Sequence, residues 1–383
     1  LPANATGNVT IKVNGTKYGQ VELVNGKSEW ILTNITPGNY NVTFEYSGDD
    51  CYIENSTSII VDIVKATSDL KVNVTDHIYG VNTTVKVNVT GVQGTDLSGN
   101  VTVTINGISW NGTVNSEGIG NVNLGILTAG NYTAFIEYSG NNNYTKSNTT
   151  AQFHISKANS TVVGTIANIT YGENATINVN VTGVNHEGLN GNVTISVDNK
   201  NYNVTLNNGV GSTIVPGLNA GNYTAQVKYP GNENYTESQL LVNFTVFKAK
   251  SNVYIYVDEL YNDENNTGDI TLTGANNAPL NGTVHVIINS TLLDVPVEFD
   301  VDVVNGVGKY TGSVLDKNGT YTATATFDGD SNHNMSVGKY DFIVRGFEAY
   351  VYSKNITYGQ IEHIVVRIPH NATFTVNVTL SNG

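Results

Sequence analysis

The sequence predicts an all-β chain built from tandem β-sandwiches. Three features of its 383 residues lead to this prediction: a repeat of about 92 residues, apolar–polar alternation with a period of two, and turn residues between the alternating segments. Val, Ile and Tyr, which favour strands, supply much of the 39% hydrophobic content. No segment of ten residues has a helical period, and no apolar run approaches the roughly 18 residues needed to cross a membrane.

Three sequence markers define the repeat in a common register. The first is the segment AGNYTAFIEYSGNNNY (129–144), which returns at 37–52, at 220–235 and, in a divergent copy, at 318–333. The second is a strand start of the type Asn-Val-Thr, and the third is the dipeptide Lys-Ala. The aligned residues of these two markers are Val9, Val101, Val193, Val284, Lys65, Lys157 and Lys248. Agreement between three independent markers makes the repeat secure.

These markers divide the chain into five segments. We predict a partial repeat at 1–65 that lacks its first strands, complete repeats at 66–157 and 158–248, a divergent repeat at 249–346, and a partial repeat at 347–383 that lacks its last strands. The joints are short and contain no Ser/Gly linker, so we expect a fairly stiff rod. The last segment could supply the strands that the first lacks, by donation between chains. Alternatively, a longer chain continues past both ends.

Each complete repeat has the strand content of an immunoglobulin-like Greek-key sandwich. In the second repeat Val101, Val103 and Ile105 alternate with threonines, which indicates a strand with one buried face. Asn-Gly pairs, which suit tight hairpins, separate such strands at 14–15, 25–26, 106–107, 208–209 and 305–306. About seven short strands fit between residues 66 and 157, the number in an immunoglobulin-like domain.

An apolar residue, a glycine turn and a tyrosine recur in the chain at a fixed spacing that looks like a tyrosine corner. In such a corner the tyrosine hydroxyl bonds back to the backbone at the entrance of a strand. The residues predicted for this role are Tyr40, Tyr132, Tyr223 and Tyr321. The chain has one cysteine, so no disulfide within it is possible and the core must rely on packing.

Charge excludes two classes of partner. Lys and Arg number 18 against 32 Asp and Glu, which gives a formal charge of −14. We therefore expect no nucleic-acid partner and no membrane contact within this segment, because both would need a basic surface.

The motifs NVTVTING, AGNYTA and YSGNNNY, in units of about 90 residues, resemble the bacterial Ig-like (group 3) repeats of adhesin-like surface proteins from methanogenic archaea. The resemblance covers nearly the whole chain and is weakest over 249–345. It implies a large extracellular protein at the cell surface, in which these repeats form a stalk or fibre. It identifies a class of repeat and no ligand.

The most frequent chemical motif is the N-x-S/T sequon, which occurs at 31 of the 56 asparagines and predicts asparagine-linked glycosylation. In Asn-Val-Thr triplets the valine should point inward while Asn and Thr share the outer face; other sequons lie near turns. Alternatively, Asn and Thr are simply polar residues on outward positions. The candidate sites are Asn8, Asn55, Asn73, Asn88, Asn100, Asn143, Asn180, Asn192, Asn234 and Asn334.

Calcium binding is a second chemical possibility. Acidic residues gather in the segment 258–269 and in the loop DGDSN (328–332), and carboxylates suit Ca²⁺. The equivalent loops SGNNNY and PGNENY carry far fewer acids, which argues against a repeated structural site. The candidate ligands are Asp258, Asp263, Asp269, Asp328 and Asp330, and we expect no other cofactor.

The sequence does not favour catalysis. Its seven histidines are scattered, and neither H-E-x-x-H nor G-x-S-x-G occurs. The tyrosines Tyr138 and Tyr144, which flank one loop, could contact sugars or a protein, but packing beside a turn is the favoured interpretation. Three functions therefore stay open: an adhesin stalk, a subunit of a surface filament or sheath, and a lectin-like binding module. Their partners would be other copies of the chain, or glycans and proteins on cell or host surfaces.

Overall fold

A computed structural model describes residues 1–346, 350–352, 355, 357–361 and 365–367. The fold is all-β, with tandem immunoglobulin-like sandwiches, as predicted. The only helices in the described part are two three-residue 3-10 turns, Val184–His186 and Ala275–Asn277, and neither could span a membrane. Most of the predicted 347–383 segment lies outside the described residues. We use first, second, third and fourth repeat for 1–65, 66–157, 158–248 and 249–346.

The chain forms two compact units. One contains residues 1–160, 183–186 and 230–237, and the other contains 161–182, 187–229 and 238–383. Two loops of the third repeat, 183–186 and 230–237, therefore group with the second repeat.

The first repeat forms one four-stranded antiparallel sheet in the order β2-β1-β3-β4. Its strands are β1 (Asn8–Val13), β2 (Thr16–Glu22), β3 (Gly38–Tyr46) and β4 (Asn55–Ile63).

The second repeat has eight strands, one more than the approximate count from sequence. The additional strand, β6, has two residues and pairs in parallel with β12, too short a contact for a sequence pattern to show. All eight join in one sheet, in the order β5-β7-β10-β9-β8-β11-β12-β6. The strands are β5 (Asp69–Asn73), β6 (His77–Ile78), β7 (Thr83–Thr90), β8 (Gly99–Ile105), β9 (Ile108–Val114), β10 (Ile119–Gly125), β11 (Gly130–Tyr138) and β12 (Ser147–Ser156).

The third repeat separates the same arrangement into two sheets, β13-β15-β18 and β14-β20-β19-β16-β17. Because β18 lies beside β15 and β19 beside β16, the chain crosses between sheets in the Greek-key manner. The strands are β13 (Thr161–Ile166), β14 (Ile169–Thr170), β15 (Ala175–Thr182), β16 (Gly191–Val197), β17 (Lys200–Leu206), β18 (Val210–Val215), β19 (Gly221–Tyr229) and β20 (Ser238–Phe247).

The fourth repeat repeats this topology in the sheets β21-β23-β26 and β22-β28-β27-β24-β25. Its strands are β21 (Asn252–Val257), β22 (Leu260–Tyr261), β23 (Asn265–Thr273), β24 (Gly282–Asn289), β25 (Val297–Val303), β26 (Val307–Val314), β27 (Gly319–Phe327) and β28 (Ser336–Arg345). A last pair, β29 (Tyr350–Tyr352) and β30 (Val365–Arg367), follows it.

The predicted Asn-Gly hairpins and the alternating strand pattern are confirmed. Both residues of all five Asn-Gly pairs have positive φ, as a type I′ turn requires; Asn106 and Gly107, for example, have φ of 49° and 84°. Val101, Val103 and Ile105 are buried, as are their counterparts in the third repeat. The period of two therefore places one face of each strand in the core.

The four predicted corner tyrosines each donate a hydrogen bond to the carbonyl oxygen four residues earlier. The distances are 2.8 Å for Tyr40, 2.8 Å for Tyr132, 3.0 Å for Tyr223 and 2.7 Å for Tyr321. The rings of the last three also stack on Phe153, Phe244 and Phe342. These are the contacts that the corner interpretation calls for, and they fix the entry of β11, β19 and β27.

A pair of equivalent core tyrosines differs in hydrogen bonding. The Tyr138 hydroxyl donates to the Leu97 carbonyl at 3.0 Å, whereas the buried Tyr229 hydroxyl has no partner among the described residues. We expect Tyr138→Phe to lower the free energy of unfolding of the second repeat by about 1 kcal/mol, because it leaves a buried carbonyl unpaired. Tyr229→Phe should be neutral or stabilising in the third repeat.

Urea titrations of the full chain, followed through NMR signals of each repeat, check this difference. Equal losses of stability in Tyr138→Phe and Tyr229→Phe would contradict the difference in hydrogen bonding between the two hydroxyl groups.

Candidate functional site at the junctions between repeats

The loop marked by YSGNNNY in the sequence is the centre of each junction. We call residues 139–144, 230–235 and 328–333 the junction loops of the second, third and fourth repeats. In the second repeat the Asn141 Oδ1 accepts the backbone N–H groups of Asn143 and Tyr144 at 2.8 and 3.0 Å. Asn232 and Asp330 do the same in the other two loops. One side-chain oxygen therefore shapes each loop, and Asn and Asp serve equally well.

The Lys-Ala marker holds the linker against this loop. In the second repeat Lys65 donates from Nζ to the Asn141 carbonyl at 2.6 Å, and Ala66 exchanges backbone hydrogen bonds with Asn143 and Thr145. The third and fourth repeats have the same set, with Lys157 and Lys248 each 2.6 Å from the equivalent loop carbonyl. The residues that join two repeats are thus fixed to the second of them.

The aromatic residue at the end of each loop accepts a backbone hydrogen bond from the other side of its repeat. Val184 N donates to the Tyr235 Oη at 3.1 Å, and Val92 N donates to Tyr144 at 2.8 Å. A glycine lies under each ring: a Cβ at Gly183 would be 2.3 Å from the Tyr235 ring. Only glycine leaves room for the ring at this position.

The second repeat contacts the third through three features of this loop region. The Ala129 N–H donates to the Asn234 Oδ1 at 3.0 Å. The Tyr79 and Tyr235 rings meet edge to face, with centroids 5.4 Å apart. Gly80, with φ of +95°, lies so close to Val184 that a Cβ would be 2.9 Å from the valine methyl group.

The third repeat contacts the fourth through the same three features. The Ala220 N–H donates to the Asn332 Oδ1 at 2.9 Å, and the Tyr171 ring meets His333 edge to face at 5.2 Å. A Cβ on Gly172 would lie 3.0 Å from the Ala275 methyl group. The junction is therefore a built contact that recurs.

The junction between the first and second repeats lacks the hydrogen bond from a backbone N–H to the junction asparagine that the other two junctions have. Pro37 occupies the position of Ala129 and Ala220, and proline has no N–H to donate. The Asn143 carboxamide, which corresponds to that of Asn234, makes no hydrogen bond within the described residues. A cleft lined by Ile35, Pro37 and Asn143 lies at this junction instead.

Loop acids carry shifted pKa values. Backbone N–H groups of Thr6 and Cys51 hold the pKa of Asp49, in the first-repeat loop, well below its usual range. Burial, and then the neighbouring Asp49, raises the pKa of Tyr46 to about 12. Partial burial opposes ionisation of Asp330, but the donors of Asn332 and His333 still lower its pKa.

The acids proposed as calcium ligands do not converge. Asp258 accepts from the Thr267 hydroxyl at 2.7 Å, Asp269 pairs with Lys309 at 2.8 Å, and Asp330 organises its own loop. Asp328 is exposed, and one oxygen of the half-buried Asp263 has no partner. Within the described residues no three His, Cys, Asp or Glu side chains are grouped to hold a metal, so the acids present do not fit a calcium site.

The sequon asparagines fall into two groups. Eight are exposed, whereas Asn143 and Asn234 are half-buried in junction loops. The exposed asparagines are Asn8, Asn55, Asn73, Asn88, Asn100, Asn180, Asn192 and Asn334. The tyrosines considered as binding residues, Tyr138 and Tyr144, are buried, in agreement with the packing interpretation.

Comparison with known proteins agrees with this architecture. Residues 162–247, within the third repeat, match the family model of the bacterial Ig-like domain (group 3). No curated protein sequence matches the chain.

Several solved structures are similar at low identity. A structure of a 1.5-MDa bacterial ice-binding adhesin is 15% identical, with 74% of this chain and 99% of that chain covered and a TM-score of 0.31. Domains A168–A170 of titin are 14% identical, with 73% of this chain and 99% of that chain covered and a TM-score of 0.32. Invasin, a bacterial integrin-binding protein, is 16% identical, with 74% of this chain and 61% of that chain covered and a TM-score of 0.39. At these values the likeness carries no functional conclusion.

Removal of the junction asparagine tests the contact between repeats. Asn234→Ala deletes the acceptor of the Ala129 N–H, so we expect the free energy of opening at that amide to fall by about 1 kcal/mol. Hydrogen exchange at the Ala129 amide measures this free energy of opening. Asn143→Ala is the matched control and should leave every junction amide unchanged. Unaltered protection of Ala129 in Asn234→Ala would contradict the role given to this bond.

The Asp49 loop of the first repeat and the Asn141 loop of the second should differ in their sensitivity to acid. A lowered native pKa means that ionised Asp49 stabilises the native loop above the unfolded value of about 3.9, and that this contribution is lost as the pH falls from there through the native pKa. The loop of the first repeat should therefore loosen below about pH 4, seen in its NMR amide signals, while the Asn141 loop should not respond. Asp49→Asn should abolish the response; a persistent one would point to another acid.

Proposed function

We propose that this chain is a non-enzymatic segment of an extracellular, cell-surface protein, in which it acts as a stalk or fibre that spaces a contact region from the cell. The observation that carries the proposal is the junction, which recurs with the same three contacts between the second and third repeats and between the third and fourth. A repeated, fixed joint suits a part whose work is to hold distance.

The rest of the surface supports the same role. The outward positions of the strands are largely Asn and Thr, which keep the chain soluble at a low content of charged residues, 13%. Partners would accordingly be surface glycans or proteins contacted by other parts of the protein, or further copies of the chain.

We further propose that exposed sequons carry glycans. The carboxamides of Asn73 and Asn88, for example, belong to exposed residues, whereas that of Asn234 is hydrogen-bonded at a junction. Glycopeptide mass spectrometry of material from the native host tests this: we expect modified peptides at exposed sequons and an unmodified Asn234. Only bare peptides throughout would refute the proposal.

Electron microscopy of native material, as it comes off the cell, tests the stalk. Separate thin projections attached to the cell at one end are expected. Regular filaments or a lattice would refute the stalk and favour the alternative of a filament or sheath subunit. The lectin-like alternative has no described residue to support it, and binding of the purified segment to a glycan array would be needed to restore it.

A further inference from the structure

The fourth repeat has a histidine where the second and third have a tyrosine. His333 is 4% exposed. Its Nε2 lies 3.3 Å from the Ala275 nitrogen, and its Nδ1 lies 3.0 Å from each oxygen of Asp330. Since the Ala275 N–H can only donate and the carboxylate can only accept, the neutral ring with its proton on Nδ1 satisfies both partners.

Protonation changes only one of these bonds. An imidazolium has an N–H on both nitrogens, so Nε2 can no longer accept from Ala275. The hydrogen bond from Nδ1 to Asp330 remains and becomes charge-assisted. In the third repeat the same backbone position, Val184, donates to the Tyr235 hydroxyl, which stays an acceptor across the pH range in which histidines titrate.

The bond that would be lost lies at the contact with the preceding repeat. Ala275 begins the 3-10 turn Ala275–Asn277, and its methyl group is the atom that packs over Gly172 of the third repeat. The Tyr171 ring, also from the third repeat, covers His333 itself. Release of the turn would therefore act on the junction and not on the core of the fourth repeat.

The ionisable groups around His333 favour a response to its protonation that is confined to the Ala275 turn. Asp330, on the same loop, holds the charged ring in place, and Lys248 bonds the Asp330 carbonyl at 2.6 Å. Tyr171 faces the ring from the third repeat, and Glu173 and Lys250 line the cleft beside Ala275. The junction loop thus keeps the hydrogen bond between Asp330 and His333, whereas the Ala275 N–H of the turn loses its acceptor.

We propose that His333 makes the junction between the third and fourth repeats proton-sensitive: charging the imidazole frees the Ala275 turn and loosens that joint, while the joint between the second and third repeats stays unchanged. This inference rests on the geometry of the junction and stands independently of the stalk proposal.

NMR of the full chain tests it. The His333 ring is titrated between pH 8 and 5, and hydrogen exchange at Ala275 is measured at both ends after correction for the intrinsic exchange rate. We expect protection of Ala275 to fall by at least about fivefold as the ring becomes charged, the effect of losing one hydrogen bond. Protection of Val184 should stay constant and serves as the internal control.

His333→Tyr, which installs the residue of the sister repeats, should remove the response of Ala275. If that variant does not fold, His333→Gln supplies a non-titrating acceptor for the same purpose. A ring that does not titrate in this range would overturn the proposal. So would an Ala275 amide indifferent to the charge, or a response that persists in the tyrosine or glutamine variant.

Discussion

The junctions of this structure depend on a single side-chain oxygen within each junction loop. By accepting two successive backbone N–H groups, Asn141, Asn232 or Asp330 folds the loop back on itself. The folded loop then presents one carbonyl to the linker lysine and turns an aromatic ring toward a glycine. In the third and fourth repeats it also places Asn234 or Asn332 against the preceding repeat. Three contacts that look separate in the sequence therefore depend on one turn.

This dependence explains the composition of the loop. Only an oxygen acceptor is needed at its third position, so either Asn or Asp occurs there without loss of structure. Asp330, one of the acids that suggest calcium in the sequence, organises the backbone of its loop in this way. The linker dipeptide is explained in the same way, because lysine supplies the charge-assisted donor and alanine the close backbone approach.

Much of the fold followed from local patterns, because strand alternation, Asn-Gly turns and corner tyrosines are each read within a few residues. The junction did not, because its partners are far apart in the chain: Ala129 meets Asn234, and Gly183 lies under Tyr235. A signal was present nonetheless. The change from alanine to proline at residue 37, beside an otherwise equivalent Gly-Asn-Tyr, removes a donor, and its meaning becomes clear only once the acceptor is known.

Each joint is asymmetric, and this has a consequence for how such chains grow. The third repeat carries both halves of the contact: Asn234 and Val184 on the side of the second repeat, and Ala220 and Gly172 on the side of the fourth. Any copy that keeps both halves can follow or precede any other. Tandem duplication or loss of a whole copy in the gene would therefore leave every new boundary already complementary, so the array can change its length in a single genetic event without a compensating substitution.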